Sequence, residues 1–239
     1  MDRLGAVDAR NVWAVVPVKA FSHAKRRLAP VLSEAERAAL VRTMLVDVLT
    51  ALHATSRLAG ILVVTSDPQA ARTAALCDAQ VVDDNEADGL NGAVRRGLDI
   101  LDASKAGALV VPADIPFATA SDYSAVLDLL THYPVVLAPA SSDGGTNALA
   151  LRQAGSLKPC FGEDSFNVHH AQAARAGLAV GIARSEGLGH DIDRIDDILA
   201  ARKLRRKLKT ASSTSALFGE IDLIRRVGLD ALPVAARYM

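Results

Sequence analysis

The sequence predicts an α/β domain built on a mostly parallel, doubly wound sheet. Three observations carry that expectation. Short Val- and Ile-rich runs are bounded by turn residues, stretches with helical apolar spacing lie between them, and together they make a β-α-β-α-β succession from Val12 to Val111. With 239 residues, half of them apolar and few aromatic, the chain can bury one substantial core.

The first strand is the β-branched run Val12–Val18, which Pro17 brings to an end. It opens onto Lys19, Lys25, Arg26 and Arg27, whose amino and guanidinium groups suit a polyphosphate, although a solvated basic loop has the same composition. Ser33 and Glu36 form a capping box for a helix with an apolar face of Leu40, Val41, Met44, Leu45, Val48, Leu49 and Leu52. Gly60–Thr65 reads as the second buried strand, and Asp67-Pro68 starts a short helix to about Leu76. A third strand follows near Ala79–Val82. In Asp88-Gly89-Leu90-Asn91-Gly92-Ala93, a glycine beside a helix start lets backbone approach a ligand, and Asn91 offers the paired donor and acceptor that read a base edge. Asp88 equally suits an N-cap. The helix from 90 to about 103 leads to the next strand.

That strand, Ala108–Val111, runs into an isolated carboxylate, Asp114. An acid there is either a divalent-metal ligand at the carboxyl end of a central parallel strand or the start of a turn or cap. After a helix at Ser121–His132 and a strand at Val135–Ala138, the loop Ser141-Ser142-Asp143-Gly144-Gly145-Thr146-Asn147 carries the backbone N–H groups of an anion site or of a hairpin turn. Ala148–Leu151 resumes as a strand. Phe161-Gly162-Glu163-Asp164-Ser165-Phe166 then places Ser165 at a helix start, where a phosphate can bind. His169 and His170 on this helix point in different directions and cannot chelate one ion together. A strand at Leu178–Ile182 leads to His190-Asp191-Ile192-Asp193, where the two carboxylates share one face of an extended segment unless one caps the next helix. From Ala200 a basic run begins, Ala211–Ser215 reads as a linker, and a last amphipathic piece runs from Leu217 to about Val227. The division expected is 1–210 as the main domain and 211–239 as a C-terminal extension.

Lys+Arg and Asp+Glu balance at 27 each, so no overall charge draws the chain to nucleic acid or membrane. Cys77 and Cys160 fit neither a disulfide framework nor a zinc pattern. No apolar stretch approaches the ~20 residues of a membrane span, and Met1–Asn11 lacks a signal-peptide core. The expected setting is cytoplasmic.

In order, V-P-V-K…A-K-R-R-L, D-G-L-N, V-P-A-D-I-P, D-G-G-T-N-A-L, F-G-E-D-S-F…H and D-I-D…D resemble the 2-phospho-L-lactate guanylyltransferase family of deazaflavin-coenzyme biosynthesis, a branch of the molybdenum-cofactor-guanylyltransferase-like nucleotidyltransferases. The L-x-G-G-x-S-x-R-M-G loop of the molybdenum-cofactor enzymes is replaced by the lysine-arginine loop. The resemblance implies a Rossmann-like three-layer sandwich of the nucleotide-diphospho-sugar transferase type. It implies transfer of GMP from GTP to 2-phospho-L-lactate, phosphoenolpyruvate or 3-phosphoglycerate, with release of pyrophosphate and with Mg²⁺ as cofactor. By the same resemblance Lys25 and Asp114 are catalytic, and Lys19, Lys25 and Arg27 bind the triphosphate. Gly89, Leu90 and Asn91 lie near the guanine or ribose, and Thr146, Asn147, Gly162 and Ser165 hold the acceptor. Asp114 with one or both of Asp191 and Asp193 binds the metal. After the last carboxylate pair the family usually reads Thr-Pro, whereas here Arg194-Ile195 follows. Other readings are a nucleotidyltransferase for a phosphosugar or molybdopterin-like acceptor, or a non-catalytic nucleotide-binding regulator. The sequence leaves room for a homodimer.

Overall fold

Strands whose residues are apolar on both faces need cover on both sides, and here helices provide it. The computed structural model describes residues 11–21, 24–84, 89–208 and 213–221. Its strands are β1 (Val12–Pro17), β2 (Leu58–Val64), β3 (Gln80–Val82), β4 (Gly107–Val110), β5 (Val135–Pro139), β6 (Thr146–Leu151) and β7 (Val180–Ile182). They form a seven-stranded sheet in the order β3-β2-β1-β4-β6-β5-β7. All neighbours pair in parallel except β6, which runs antiparallel to both β4 and β5. The carboxyl ends of β1, β4 and β5 therefore share one edge with the beginning of β6.

The helices are α1 (Glu34–His53), α2 (Pro68–Leu76), α3 (Gly89–Ala103), α4 (Ala120–His132), α5 (Ser165–Arg175), α6 (Glu186–Gly189), α7 (Ile195–Leu208) and α8 (Ser213–Glu220). Alternation along β1 divides the core into two layers. Ala14 and Val16 pack with Leu45 and Val48 of α1, whereas Val15 packs with Val94 and Leu98 of α3. Each such buried side chain contributes about 1.5–3 kcal/mol before the entropy of ordering it is subtracted. The result is a three-layer α/β sandwich, as expected.

Local signals set the helix starts. The Glu36 N–H donates to Ser33 Oγ at 3.3 Å and the Ser33 N–H donates to Glu36 Oε2 at 2.8 Å, a complete capping box for α1. Thr119 and Asp122 build a second one for α4. Asp67 caps α2 through the Gln69 and Ala70 N–H groups at 2.7 and 3.0 Å. Its other oxygen accepts the Phe21 N–H at 2.9 Å, pinning the loop after β1.

The serine- and threonine-rich stretch that reads as a linker in fact begins α8. Its Ser213 and Thr214 N–H groups each donate to the Asp47 carboxylate at 2.8 Å, and Phe218 is buried in the core layer of α1. The amphipathic piece expected to reach about Val227 extends beyond residue 221, outside the described residues, as does Asp88. Among the described residues no helix is long and apolar enough to cross a membrane.

Candidate active site

The loop after β1 delivers the cations. Phe21 and Leu28 are buried and anchor it at both ends. Between them Lys25 adopts a left-handed backbone, φ 53° and ψ 40°, at the start of a 3₁₀ turn over Arg26–Leu28. A non-glycine residue there costs about 1–2 kcal/mol, a strain that tends to persist where a side chain must be aimed. The Lys25 ammonium donates to Asp114 Oδ2 at 2.6 Å and to Asp193 Oδ1 at 3.4 Å. Burial alone would depress its pKa, but the Asp114 and Asp193 charges outweigh it, so the pKa is raised and Lys25 stays protonated. Arg27 pairs with the other oxygen of Asp193. Lys19 is exposed on the same cleft.

The carboxylates come from two segments laid side by side. Asp114 follows β4, and its carbonyl accepts the Ile192 N–H at 2.9 Å, which docks the Asp191–Asp193 segment against it. Ile192 turns into the core, so Asp191 and Asp193 share the opposite face, as the alternation predicts. Their environments then diverge. Asp193 is held by two cations, which outweigh its burial and lower its pKa. Asp191 pairs with no cation among the described residues; the Asn147 Nδ2 donates to it at 3.4 Å and to the Leu188 carbonyl at 2.9 Å. Burial and the nearby Asp114 charge push Asp191 up to about 6.

That shift has a stability consequence with a definite sign. Between its ordinary 3.8 and about 6, the folded chain holds a proton that the unfolded chain has released. Stability from this group is therefore present at low pH and lost as pH rises through that window. In chelator, the melting temperature of the wild type relative to Asp191→Asn is expected to fall between pH 4 and pH 6. A difference that grows with pH would contradict the burial of Asp191 beside Asp114.

The other half of the cleft is built by the loop into β6 and the start of α5. Gly162 has φ 140°, which excludes side-chain-bearing residues. Ser165 opens α5 and donates to Thr146 Oγ1 at 3.2 Å. His169, one turn along, accepts the Cys160 N–H on Nε2 at 2.9 Å and contacts Thr146 Oγ1 through Nδ1 at 3.1 Å. That acceptor role assigns the proton to Nδ1, and burial lowers the His169 pKa to about 4, so the ring stays neutral. Thr146 Oγ1 then accepts two hydrogen bonds, which leaves its own O–H to donate into the cleft. Asn91 engages both ends of its amide within the chain. Its Nδ2 donates to the Phe161 carbonyl at 3.0 Å and its Oδ1 accepts the Phe161 N–H at 2.6 Å, tying α3 to the loop before α5.

Two cavities meet at Asp114. One, of about 340 Å³, is lined by Lys19, Lys25, Leu90, Pro112, Asp114 and Asp193. The other, of about 320 Å³, is lined by Asp114, Thr146, Asn147, Gly162, Ser165 and Asp191, and by Arg27, Leu90 and Arg194. Of the residues expected from sequence, Gly89 and Asn91 line neither.

A family described as guanylyl transferase CofC like matches residues 12–201. The chain belongs to the CofC-like guanylyl transferase family. Among the relatives of this CofC-like chain are a phosphoenolpyruvate guanylyltransferase of Sphaerobacter thermophilus, 41% identical over 77% of this chain and 89% of the relative, and a 3-phospho-D-glycerate guanylyltransferase of Phenylobacterium zucineum, 38% identical over 85% and 95%. A 2-phospho-L-lactate guanylyltransferase of Methanothermobacter thermautotrophicus is 36% identical over 77% and 81%. Among solved structures, a Desulfovibrio desulfuricans chain assigned to the nucleotide-diphospho-sugar transferases superposes with a TM-score of 0.73 at 21% identity, covering 91% of this chain and 98% of that one. At that identity the likeness speaks for the fold.

Two features of the CofC-like site are invisible in the sequence reading: the His169 support of Thr146 and the Asn147 support of Asp191. Both are second partners, across the fold, of residues that were legible. His169 was legible as the last residue of F-G-E-D-S-F…H and by its spacing one helical turn from Ser165, but its partner Thr146 was not.

Proposed function

We propose that this chain transfers GMP from GTP to a small phosphorylated carboxylic acid, 2-phospho-L-lactate, phosphoenolpyruvate or 3-phosphoglycerate, and releases pyrophosphate, within biosynthesis of the deazaflavin redox coenzyme. The observation that carries this reading is the position of Asp114 at the junction of a cation-lined cavity and a hydroxyl-lined one. The relatives named for these three acids support the acceptor class.

The acceptor's phosphate oxygen attacks the α-phosphorus, and the bond from that phosphorus to the bridging oxygen breaks, so pyrophosphate leaves with the electron pair. The attacking phosphate is already largely ionised near neutral pH, so no general base is required. Thr146, whose hydroxyl Ser165 and His169 orient toward the cleft, and the backbone at Gly162 hold and aim it, helped by the positive end of α5. Lys25, Lys19 and Arg27 offset the charge that develops on the departing pyrophosphate. Asp193 keeps Lys25 and Arg27 in place. Asp114 and Asp191 suit Mg²⁺, because a hard divalent cation relieves the charge by which Asp114 helps to hold the Asp191 pKa up. Bound there, the ion would neutralise triphosphate charge.

The test is to incubate the protein with GTP, Mg²⁺ and each acid in turn, following pyrophosphate, and then to vary the nucleoside triphosphate with the best acceptor. Silence with all three acids refutes the proposal. In the same assay Thr146→Val, which removes the hydroxyl proton that Ser165 and His169 leave free for the acceptor, is expected to raise the acceptor KM about 10- to 100-fold, the worth of one hydrogen bond to a charged group, with the KM for GTP unmoved.

A further inference from the structure

Arg194 is at odds with its own local structure. It directly precedes α7, where a short side chain normally accepts N–H groups of the first turn. A guanidinium can only donate, and a positive charge at a helix N-terminus opposes the macrodipole. Asp197 supplies the cap from inside the helix instead. Its Oδ2 accepts the Arg194 N–H at 2.6 Å and the Asp193 N–H at 2.9 Å, which fixes the turn by backbone alone. The Arg194 side chain takes no part in that arrangement.

It lines the same cavity as Thr146, Gly162 and Ser165. It is exposed and forms no ion pair with another described residue, whereas Arg27, the other guanidinium on this cavity, is held by Asp193. Asp143 and Glu163 add negative charge to the same cavity, so an anion entering it needs a cation that is free to meet it. Residues that break a local rule without structural return are expected at functional positions.

We propose that Arg194 recognises the acceptor's carboxylate and so sets the preference for phospho-acids over simple phosphomonoesters. This rests on the guanylyl-transfer reading above. The phosphate occupies the Thr146–Ser165 cradle, and the guanidinium fork meets the carboxylate, a planar match that a lysine makes less well.

The experiment compares the wild type with Arg194→Thr and Arg194→Lys. It reads the KM of the preferred acid, the KM of GTP, and the Ki of glycerol phosphate, which has the phosphate and three carbons but no carboxylate. For Arg194→Thr the acid's KM should rise about 10- to 100-fold, the Ki of glycerol phosphate should stay close to its wild-type value, and the KM of GTP should not move. Arg194→Lys should fall between. The melting temperature of Arg194→Thr should be equal to or above that of the wild type, because threonine restores a capping side chain. An unmoved acid KM in an active wild-type background, or equal losses for acid and glycerol phosphate, overturns this assignment alone. A wild type silent with every acid overturns the guanylyl-transfer reading, and this assignment with it.

Discussion

Asp114→Asn is expected to cut turnover by roughly a thousandfold or more while leaving the fold intact. Asparagine keeps the shape of the side chain and an oxygen that can accept from Lys25, and Lys25 retains Asp193 as a counter-charge. The lost ion pair is partly exposed on the Asp114 side, at 31%, so its removal changes stability only modestly. Turnover falls because the cleft loses the charge at the junction of its two halves. Removing that charge should also let the Asp191 pKa drop toward the ordinary carboxylate range, since Asp114 is one of the groups holding it up. Steady-state kinetics beside thermal unfolding check both statements. A variant that keeps more than a tenth of wild-type turnover would make Asp114 a structural residue.

Lys25→Met should damage stability and turnover together. The ammonium is 8% exposed, against 31% and 33% for its two acidic partners. Without it, Asp114 loses its ion-pair partner beside two further carboxylates, Asp191 and Asp193, and Arg27 alone remains on Asp193. Removing one member of a buried ion pair costs about 3–5 kcal/mol, and the partial exposure of the acids places this case near the lower figure. For a chain of this size that corresponds to a fall of about 6–12 °C in melting temperature. Mg²⁺ should recover part of the loss, because a divalent cation relieves the same repulsion. Calorimetry with and without Mg²⁺ makes the comparison. A variant as stable as the wild type in chelator would mean that the acids are well solvated and that Lys25 does not hold them together.

The sheet was legible because its strands are short apolar runs bounded by Pro, Gly and Asp, and period alone separates them from the helices. The start of α1 was legible for a different reason: Ser33 and Glu36 act over three residues, so the signal is entirely local. What escaped the reading depends on distance. The reversal of β6 is set by its pairing with both β4 and β5, and nothing in Ala148–Leu151 states a direction. Asn91 looks free in the sequence because its partner, Phe161, lies 70 residues away. The Ser/Thr run before Leu217 has linker composition, yet Asp47 of α1 converts it into a helix start. In the site, the residue types were readable and their partners were not. Asp191 and Asp193 looked equivalent two positions apart, and the cations of the β1 loop on one and the burial and Asp114 charge acting on the other distinguish them.

The reversed strand also bears on how such a protein can diverge. Because β6 begins at the edge that carries Asp114, the wall at Thr146 and Asn147, which we propose meets the acceptor, hangs on a hairpin fixed by β5 on one side and β4 on the other. The cation loop belongs to β1, on the far side of β4. Substitutions in the hairpin can therefore reshape one wall without moving the lysines or Asp114. A single guanylylating half can be mated to different acceptor walls, which is a physical route by which relatives named for three different acids remain 36–41% identical to this one chain.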